Sequence, residues 1–213
     1  QIAESKTGLM VRSLAWTGDE VGNRLRLEGY AKHMKNLLAE WPANTIVLGY
    51  GLNESFAGKA GLTEFAEHYS THLKQLAGLH PGARVVMLSP IAIEGASEAR
   101  NAEVELYSKA IAELAAANGH NYVDLFSLTK KAYAETKKPL TNNGIHLNDE
   151  GNRIVAKFLA EKISLVRGLK ASSLKKPAPK HLHEVALAAS AKHRRVAEVV
   201  RPKNAVVYFG VRA

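Results

Sequence analysis

The sequence predicts an α/β protein built on a parallel sheet with helices on both faces. Short β-branched or Leu-rich runs alternate with longer stretches of helical spacing, in the order βαβαβαβα. The short runs are apolar on both sides, which is typical of strands covered on both faces. Right-handed crossovers then place a helix over the sheet after each strand, so a three-layer α/β/α sandwich follows.

Each element has its own signal in the chain. Strands are predicted at the apolar runs, residues 9–16, 45–48, 83–88 and 122–126. Helices are predicted where apolar residues recur at helical intervals, over residues 30–41, 65–76, 104–114 and 154–163. The first three helices end at breakers, which are Pro42, then Gly78 with Pro81, then Asn118-Gly119.

Composition separates a neutral body from a basic tail. The 213 residues carry a net charge of +9, and residues 168–213 hold ten Lys or Arg against Glu184 and Glu198. Any contact with an anionic polymer or a membrane surface is therefore expected from the tail.

The chain has no Cys, which excludes disulfides, thiolate metal sites and a Cys nucleophile. No window approaches the ~18–20 apolar residues of a membrane-spanning helix.

These signals divide the chain into three parts. Residues 1–167 are predicted to form the α/β/α domain. Residues 168–180 mix Ser, Lys and Pro, which is typical of a linker. Residues 181–213 form the basic C-terminal extension, with Ala-rich helical character at 182–200 and a strand-like run at 205–211.

Candidate chemistry lies in the segments that follow the strands, because ligands bind at the carboxyl ends of parallel strands. Those segments are residues 17–23, 50–58, 89–94 and 139–148. Gly18 and Asn53 offer a backbone N–H and a side-chain amide, and His146 lies in a polar loop before the last helix. Each feature alone is also typical of an ordinary turn. Together they are a pair of oxyanion donors and a general base for a hydroxyl nucleophile.

On these residues the sequence resembles the SGNH (GDSL-type) hydrolase superfamily. Gly18 matches the family's second-block glycine, and Gly51-Leu52-Asn53-Glu54 is similar to the G-x-N-D block, with Glu54 in place of Asp. Asn143-Gly144-Ile145-His146 is similar to the last block, D-x-x-H. The sequence of three longer stretches, Ser13 to Arg24, Gly51 to Leu62 and Lys138 to Ala156, resembles that of SGNH-type domains found next to haem-binding modules in planctomycete-like bacteria.

The resemblance implies a flavodoxin-like sandwich and ester hydrolysis by Ser acyl transfer, on small-molecule, glycan or lipid esters. His146 would be the base, Asn53 and Gly18 the oxyanion donors, and Asn143 the residue that orients His146. No cofactor or metal is implied, and any haem module would lie outside this chain. The family relationship alone favours an extracytoplasmic location.

Two departures bear on activity. Nothing before Leu9 matches the G-D-S block that supplies the Ser nucleophile, so the sandwich is expected to lack its first βα unit, as a fragment or by divergence. Asn143 stands where the family has Asp, and an amide cannot stabilise an imidazolium by charge. In the trypsin-type triad the same swap lowers turnover by ~10⁴. Asp149, three residues past His146, is expected to cap the last helix.

Alternatives remain open at this point. The crevice could bind a glycan or acylated ligand without turnover, or the basic tail could be the functional part with the sandwich as its scaffold. His68 and His72 stand at a metal-compatible i, i+4 spacing, but an ordinary helix surface is the preferred interpretation. Ser55 lacks the flanking glycine of a nucleophile elbow and is not expected to be the nucleophile.

Overall fold

A computed structural model describes residues 14–15, 18–22, 30–40 and 43–163, all of which belong to one compact unit, Ser13–Arg167. The predicted strand at residues 9–16 lies outside these ranges, apart from Leu14 and Ala15. The expected loss of a first βα unit, the linker and the basic tail also fall on residues outside them. Those expectations, and the domain boundaries with them, stay predictions.

The described elements alternate between helix and strand. In chain order they are α1 (Tyr30–Glu40), β1 (Thr45–Gly49), a 3₁₀ helix (Glu54–Gly61), α2 (Leu62–Leu79), β2 (Arg84–Leu88), a second 3₁₀ helix (Gly95–Arg100), α3 (Asn101–Ala117), β3 (Asn121–Val123), α4 (Leu125–Glu135) and α5 (Asp149–Ile163). Every predicted strand and helix within the described ranges has a counterpart among them. None of the described helices is both long enough and apolar enough to cross a membrane.

The described strands form one parallel sheet in the order β1-β2-β3. Thr45 pairs with Arg84 and Gly49 with Leu88 along β1 and β2, while Leu88 pairs with Val123 along β2 and β3. All three strands run the same way, so the loops that follow them leave from one edge of the sheet.

Alternation along β2 shows that both faces of the sheet are covered. Val85 and Met87 pack in a cluster with side chains of α1, α2 and α3. Val86 and Leu88 point the other way, into a second cluster that contains Val155 and Ile163 of α5. The α/β sandwich predicted from the two-sided apolar strands is confirmed.

The region after β3 differs from the prediction. The strand ends at Val123, and Phe126 belongs to α4 rather than to the strand. Asp124 accepts a hydrogen bond from the Ser127 backbone N–H at 2.9 Å, which is a helix N-cap. The apolar residues after Asp124 continue the strand pattern, so the cap was the signal that could have revealed this helix.

Candidate functional site

Asn53 lies at the carboxyl end of β1 and is anchored by one of its two amide hydrogens. Its Nδ2 donates to the backbone oxygen of Asp19 at 3.2 Å, across 34 positions of sequence. Gly18 precedes Asp19 and has a φ of 80°, in the left-handed region that favours glycine. The structure therefore brings the two predicted oxyanion segments together. The second amide hydrogen of Asn53 bonds no described residue, so it is available to a ligand.

Glu54 joins these two segments through its carboxylate. One oxygen accepts from the Val21 backbone N–H at 2.8 Å, and the other accepts from the Gly51 backbone N–H at 2.8 Å. Burial raises the pKa of Glu54 above its ordinary value of 4.5, although both backbone hydrogen bonds oppose that shift. Glu54, which matches the family's Asp position, thus fixes the loop that holds Asn53 against the loop that holds Gly18.

Gly51 is required by its surroundings. It has a φ of 106°, and a Cβ at this position would lie 3.1 Å from the Ile111 side chain and 3.5 Å from Pro90. Ile111 belongs to the buried core, so it has little room to yield. The glycine lets the chain turn at the end of β1 and places Asn53 at the sheet edge.

His146 and Asn143 form a compact turn in which one amide oxygen has three partners. Asn143 Oδ1 accepts from the backbone N–H of Ile145 at 3.3 Å and of His146 at 2.9 Å, and it lies 3.0 Å from His146 Nδ1. The two backbone donors fix which end of the amide faces the ring. An amide oxygen can only accept, so the contact favours the neutral tautomer that carries its proton on Nδ1 and its lone pair on Nε2. The exposed imidazole is therefore held in the tautomer of a general base.

The His146 loop is tied to the segment after β2 by Glu94. Its carboxylate accepts from the backbone N–H groups of Leu140 and Thr141, at 3.0 and 2.9 Å, and from Thr141 Oγ1 at 2.5 Å. Thr141 Oγ1 in turn accepts from Gly144 N–H at 3.0 Å. The Glu94 backbone N–H donates to the Gly144 oxygen at 2.9 Å. Both ends of the loop before His146 are thus bonded to one residue.

A shared apolar cluster connects the two halves of the site. Leu52, next to Asn53, packs against a cluster that includes Ile93, next to Glu94. The segments after β1 and β2 therefore meet beneath the edge of the sheet. Convergence of the Asn53 amide and the Gly18 N–H with His146 on one side of the crevice stays a prediction.

Hydroxyl groups in the described part of the chain do not reach His146. Ser55 is fully buried, and its hydroxyl donates to the Leu52 backbone oxygen at 2.6 Å. Among the described residues, the ring of His146 bonds only Asn143. This geometry agrees with the sequence-based choice to set Ser55 aside as a nucleophile.

Asn148, and not Asp149, caps the last helix. Asn148 Oδ1 accepts from the backbone N–H groups of Glu150 and Gly151 at 3.1 and 3.0 Å. Asp149 is the first residue of α5, where its charge suits the helix N-terminus. The prediction that Asp149 caps the helix was wrong by one position, because Asn and Asp accept such bonds equally well.

The paired histidines of α2 have separate surroundings. His72 is buried beside Tyr50, with ring centroids 5.9 Å apart, while His68 lies near Glu64 at the surface. No group of three His, Cys, Asp or Glu side chains that could hold a metal ion occurs within the described ranges. The interpretation as an ordinary helix surface holds for His68 but was wrong for His72, which lies on the side of the helix that faces the core.

A cavity of about 520 Å³ adjoins the His146 loop. Glu94, Asn143 and Gly144 line it, together with residues 136–139. Another cavity, of about 550 Å³, lies between α3 and α4 and contains none of the predicted site residues. The cavity at Asn143 is lined by the residue that contacts the candidate base, and its size is ordinary for a small-ligand pocket.

Sequence reasoning missed the roles of three residues. Glu94 and Thr141 carried no motif, although Glu94 lies in a segment marked for chemistry because it follows a strand. Arg100 was also missed. Its guanidinium stacks 3.8 Å from the centroid of Phe56 and donates to the Ser55 backbone oxygen at 3.3 Å, which secures the turn after Asn53.

Solved structures share this fold at low sequence identity. An acetyl xylan esterase, AlAXEase, is 23% identical with a TM-score of 0.55, covering 70% of this chain and 77% of that one. Axe2, an acetylxylan esterase from Geobacillus stearothermophilus, is 16% identical with a TM-score of 0.55, covering 70% and 69%. A member of the lipolytic G-D-S-L family from Veillonella parvula DSM 2008 is 15% identical with a TM-score of 0.54, covering 70% and 77%. At these identities the likeness shows the fold alone.

Sequence comparisons settle the family. A search of curated proteins finds no match. The model of the GDSL-like Lipase/Acylhydrolase family, however, matches residues 1–154. That range takes in the Gly18 segment, the Gly51 to Glu54 block and the Asn143 to His146 turn. The chain belongs to the GDSL-like lipase/acylhydrolase family.

Proposed function

We propose that this chain is an ester hydrolase of the Ser acyl-transfer type, with His146 as general base and Asn53 and Gly18 as oxyanion donors. The observation that carries the proposal is the Asn143–His146 turn. It presents His146 Nε2 as a proton acceptor on an exposed ring. An imidazole with a fixed tautomer and a free acceptor is the central requirement of general-base acyl transfer.

The chemistry follows from the donors and acceptors at the two loops. Nε2 of His146 takes the proton from the attacking hydroxyl, and the ester carbonyl carbon becomes tetrahedral. The second amide hydrogen of Asn53 and the Gly18 N–H bond the oxygen that gains negative charge. His146 then returns its proton to the leaving alcohol. A water molecule, activated by His146 in the same way, attacks the acyl group, releases it as a carboxylic acid and restores the hydroxyl. Asn143 keeps the tautomer but adds no charge opposite the imidazolium, so turnover is slow.

Acetyl esters of sugars are the first substrates to test. Two of the proteins with the same fold are named as acetyl xylan esterases. The cavity beside Asn143 is open enough for a sugar ring, and Lys137 and Lys138 on its wall are polar partners for hydroxyl groups. These features support a carbohydrate ester over a long acyl chain, which would need a deeper apolar pocket.

A steady-state assay tests the role of the base. Hydrolysis of 4-nitrophenyl acetate by the 213-residue chain is compared with that of His146→Gln and Asn53→Ala. His120→Gln is the matched control, since the His120 ring bonds no described residue. We expect His146→Gln to remove the catalysed rate and Asn53→Ala to lower it by roughly 10²-fold. A His146→Gln variant as fast as the control would contradict the proposal.

An acylation probe tests the nucleophile. An organophosphonate ester labels a serine only when a base activates it. We expect no stoichiometric labelling of Ser55, because the Ser55 hydroxyl is buried and bonded to Leu52. Mass spectrometry that finds one label per chain on Ser55 would overturn this assignment.

A binding module without turnover is the second candidate. The observation that favours it is that no described hydroxyl reaches His146. Calorimetry with an acetylated xylo-oligosaccharide separates the two. Binding that His146→Gln leaves unchanged, in a chain that never releases acetate, supports the module. Release of acetate that depends on His146 supports the enzyme.

A further inference from the structure

Glu94 binds the His146 loop directly, through hydrogen bonds of its side chain and its backbone. Its carboxylate, half-buried in the segment that follows β2, accepts from Leu140 N–H, Thr141 N–H and Thr141 Oγ1. The loop lies 46 and 47 positions away in sequence. A carboxylate that accepts several N–H and O–H bonds makes charge-assisted bonds, which are roughly twice as strong as neutral ones.

Thr141 connects the Glu94 carboxylate to the backbone that precedes His146. Its hydroxyl donates to Glu94 and accepts from Gly144 N–H at 3.0 Å, two residues before His146. Gly144 is in addition bonded through its oxygen to the Glu94 backbone N–H. Its φ is 84°, and a Cβ there would lie 2.7 Å from the Glu94 backbone oxygen. Side chain and backbone of one residue therefore set the path of the loop on both sides of Thr141.

The Asn143–His146 turn needs contacts outside itself to fix its position relative to the sheet. Its hydrogen bonds join residues three positions apart, so they orient the ring within the loop. They do not fix the loop relative to the sheet edge, where Asn53 lies. The bonds to Glu94 supply that second constraint, since Glu94 follows β2, the strand that pairs with β1.

We propose that Glu94 is a positioning residue for the base, and that it holds His146 at the sheet edge through Thr141 and Gly144. The proposal rests on the proposed function for its catalytic meaning. Its structural content, that Glu94 controls where the His146 ring lies, stands without any turnover. A misplacement of about 1 Å in a catalytic group can cost on the order of 10²-fold in rate.

The test uses two variants and one control in the full chain. Glu94→Gln keeps the length of the side chain but removes part of its acceptor capacity. Thr141→Val keeps the shape and removes the hydroxyl between Glu94 and Gly144. Glu98→Gln is the control, because Glu98 is an exposed glutamate four residues further on, outside the hydrogen bonds described here.

Two readouts separate positioning from loss of fold. The ring Cε1–Hε1 NMR signal of His146, assigned with His146→Gln, is expected to shift or broaden in both variants, while the signals of His80 and His120 stay in place. Amide exchange is expected to speed up at Thr141 and Gly144 but not at Val86 and Met87 in β2. Where the chain turns over 4-nitrophenyl acetate, kcat should fall by about 10- to 100-fold with KM within about twofold.

The outcomes are distinct for the two proposals. A His146 signal that stays unchanged in both variants overturns the positioning role, whatever the rate. A His146 signal that Glu98→Gln shifts equally overturns it as well. A signal that responds to Glu94→Gln and Thr141→Val in a chain with no His146-dependent hydrolysis supports the positioning role, and the ester hydrolase assignment alone fails.

Discussion

In both halves of the site, a glutamate carboxylate accepts hydrogen bonds from backbone N–H groups and so fixes a loop, but the two carboxylates have different surroundings. In the oxyanion half, the Glu54 carboxylate joins the Gly18 and Gly51 segments through two backbone N–H groups. In the base half, the Glu94 carboxylate holds the His146 loop through two backbone N–H groups and a hydroxyl. Burial raises the pKa of Glu54 above its ordinary value. The oxyanion half therefore depends on a carboxylate that pays a desolvation penalty for its charge. The base half depends on a network that includes a neutral hydroxyl.

Glu54→Ala should have the largest effect on stability. It leaves the backbone N–H groups of Val21 and Gly51 without their acceptor, and an unsatisfied buried group costs roughly 1–3 kcal/mol. We expect the free energy of unfolding in urea to fall by about 2–4 kcal/mol. Glu67→Ala, at an exposed position of α2, is the control and should change it by under about 0.5 kcal/mol. Equal effects of the two variants would contradict the role given to Glu54.

Gly144→Ala tests the base half with a matched glycine. Gly144 and Gly119 both have positive φ, 84° and 66°. A Cβ at Gly144 meets the Glu94 backbone oxygen at 2.7 Å, and one at Gly119 meets nothing within 4 Å. Gly119→Ala should cost about 1 kcal/mol from backbone strain alone, and Gly144→Ala about 2–3 kcal/mol. Thermal or urea unfolding that gives the same cost for both would show that Glu94 does not crowd the loop.

Asn143→Asp tests the charge opposite the imidazolium. The present structure already holds the tautomer of a base, so the substitution adds charge without changing which nitrogen carries the proton. We expect kcat to increase by about tenfold, because a carboxylate stabilises the imidazolium that forms. The gain is less than the ~10⁴ of a triad where the swap also favours the wrong tautomer. Steady-state hydrolysis of 4-nitrophenyl acetate measures kcat, and an unchanged value would place Asn143 outside the catalytic unit.

Glu54→Gln should remove a small pH dependence of stability. Burial raises the pKa of Glu54 above 4.5, so the folded chain binds its proton more tightly than the unfolded chain does. The free energy of unfolding therefore falls as pH rises from 4.5 through the raised pKa, and it is level above that. The glutamine variant should lose this slope, and Glu67→Gln should keep it. A slope that survives in Glu54→Gln would assign it to another group.

Apolar patterning made the sandwich predictable, and short motifs singled out three candidate site positions whose roles stay predictions. Alternating two-sided runs fixed β1 and β2, and Gly18, Asn53 and His146 each follow a predicted strand or precede a predicted helix. The role of Glu94 could not be predicted, because its partners include backbone N–H groups 46 and 47 positions away, and a backbone group leaves no mark on sequence. The role of Thr141 could not be predicted either, because its hydroxyl bonds the side chain of the distant Glu94. Helix α4 was missed because Leu125 and Phe126 extend an apolar run past its cap.

The assignment of His146 as the base requires that Asn143 holds the neutral ring with its proton on Nδ1 and its lone pair on Nε2. Long-range ¹H–¹⁵N NMR of the imidazole rings reports this directly, at a pH where His146 is neutral and with His146→Gln for assignment. We predict a protonated Nδ1 and an unprotonated Nε2 for His146 in the full chain. A ring with its proton on Nε2 would mean that Asn143 presents its NH₂ group, and His146 could not then be the base.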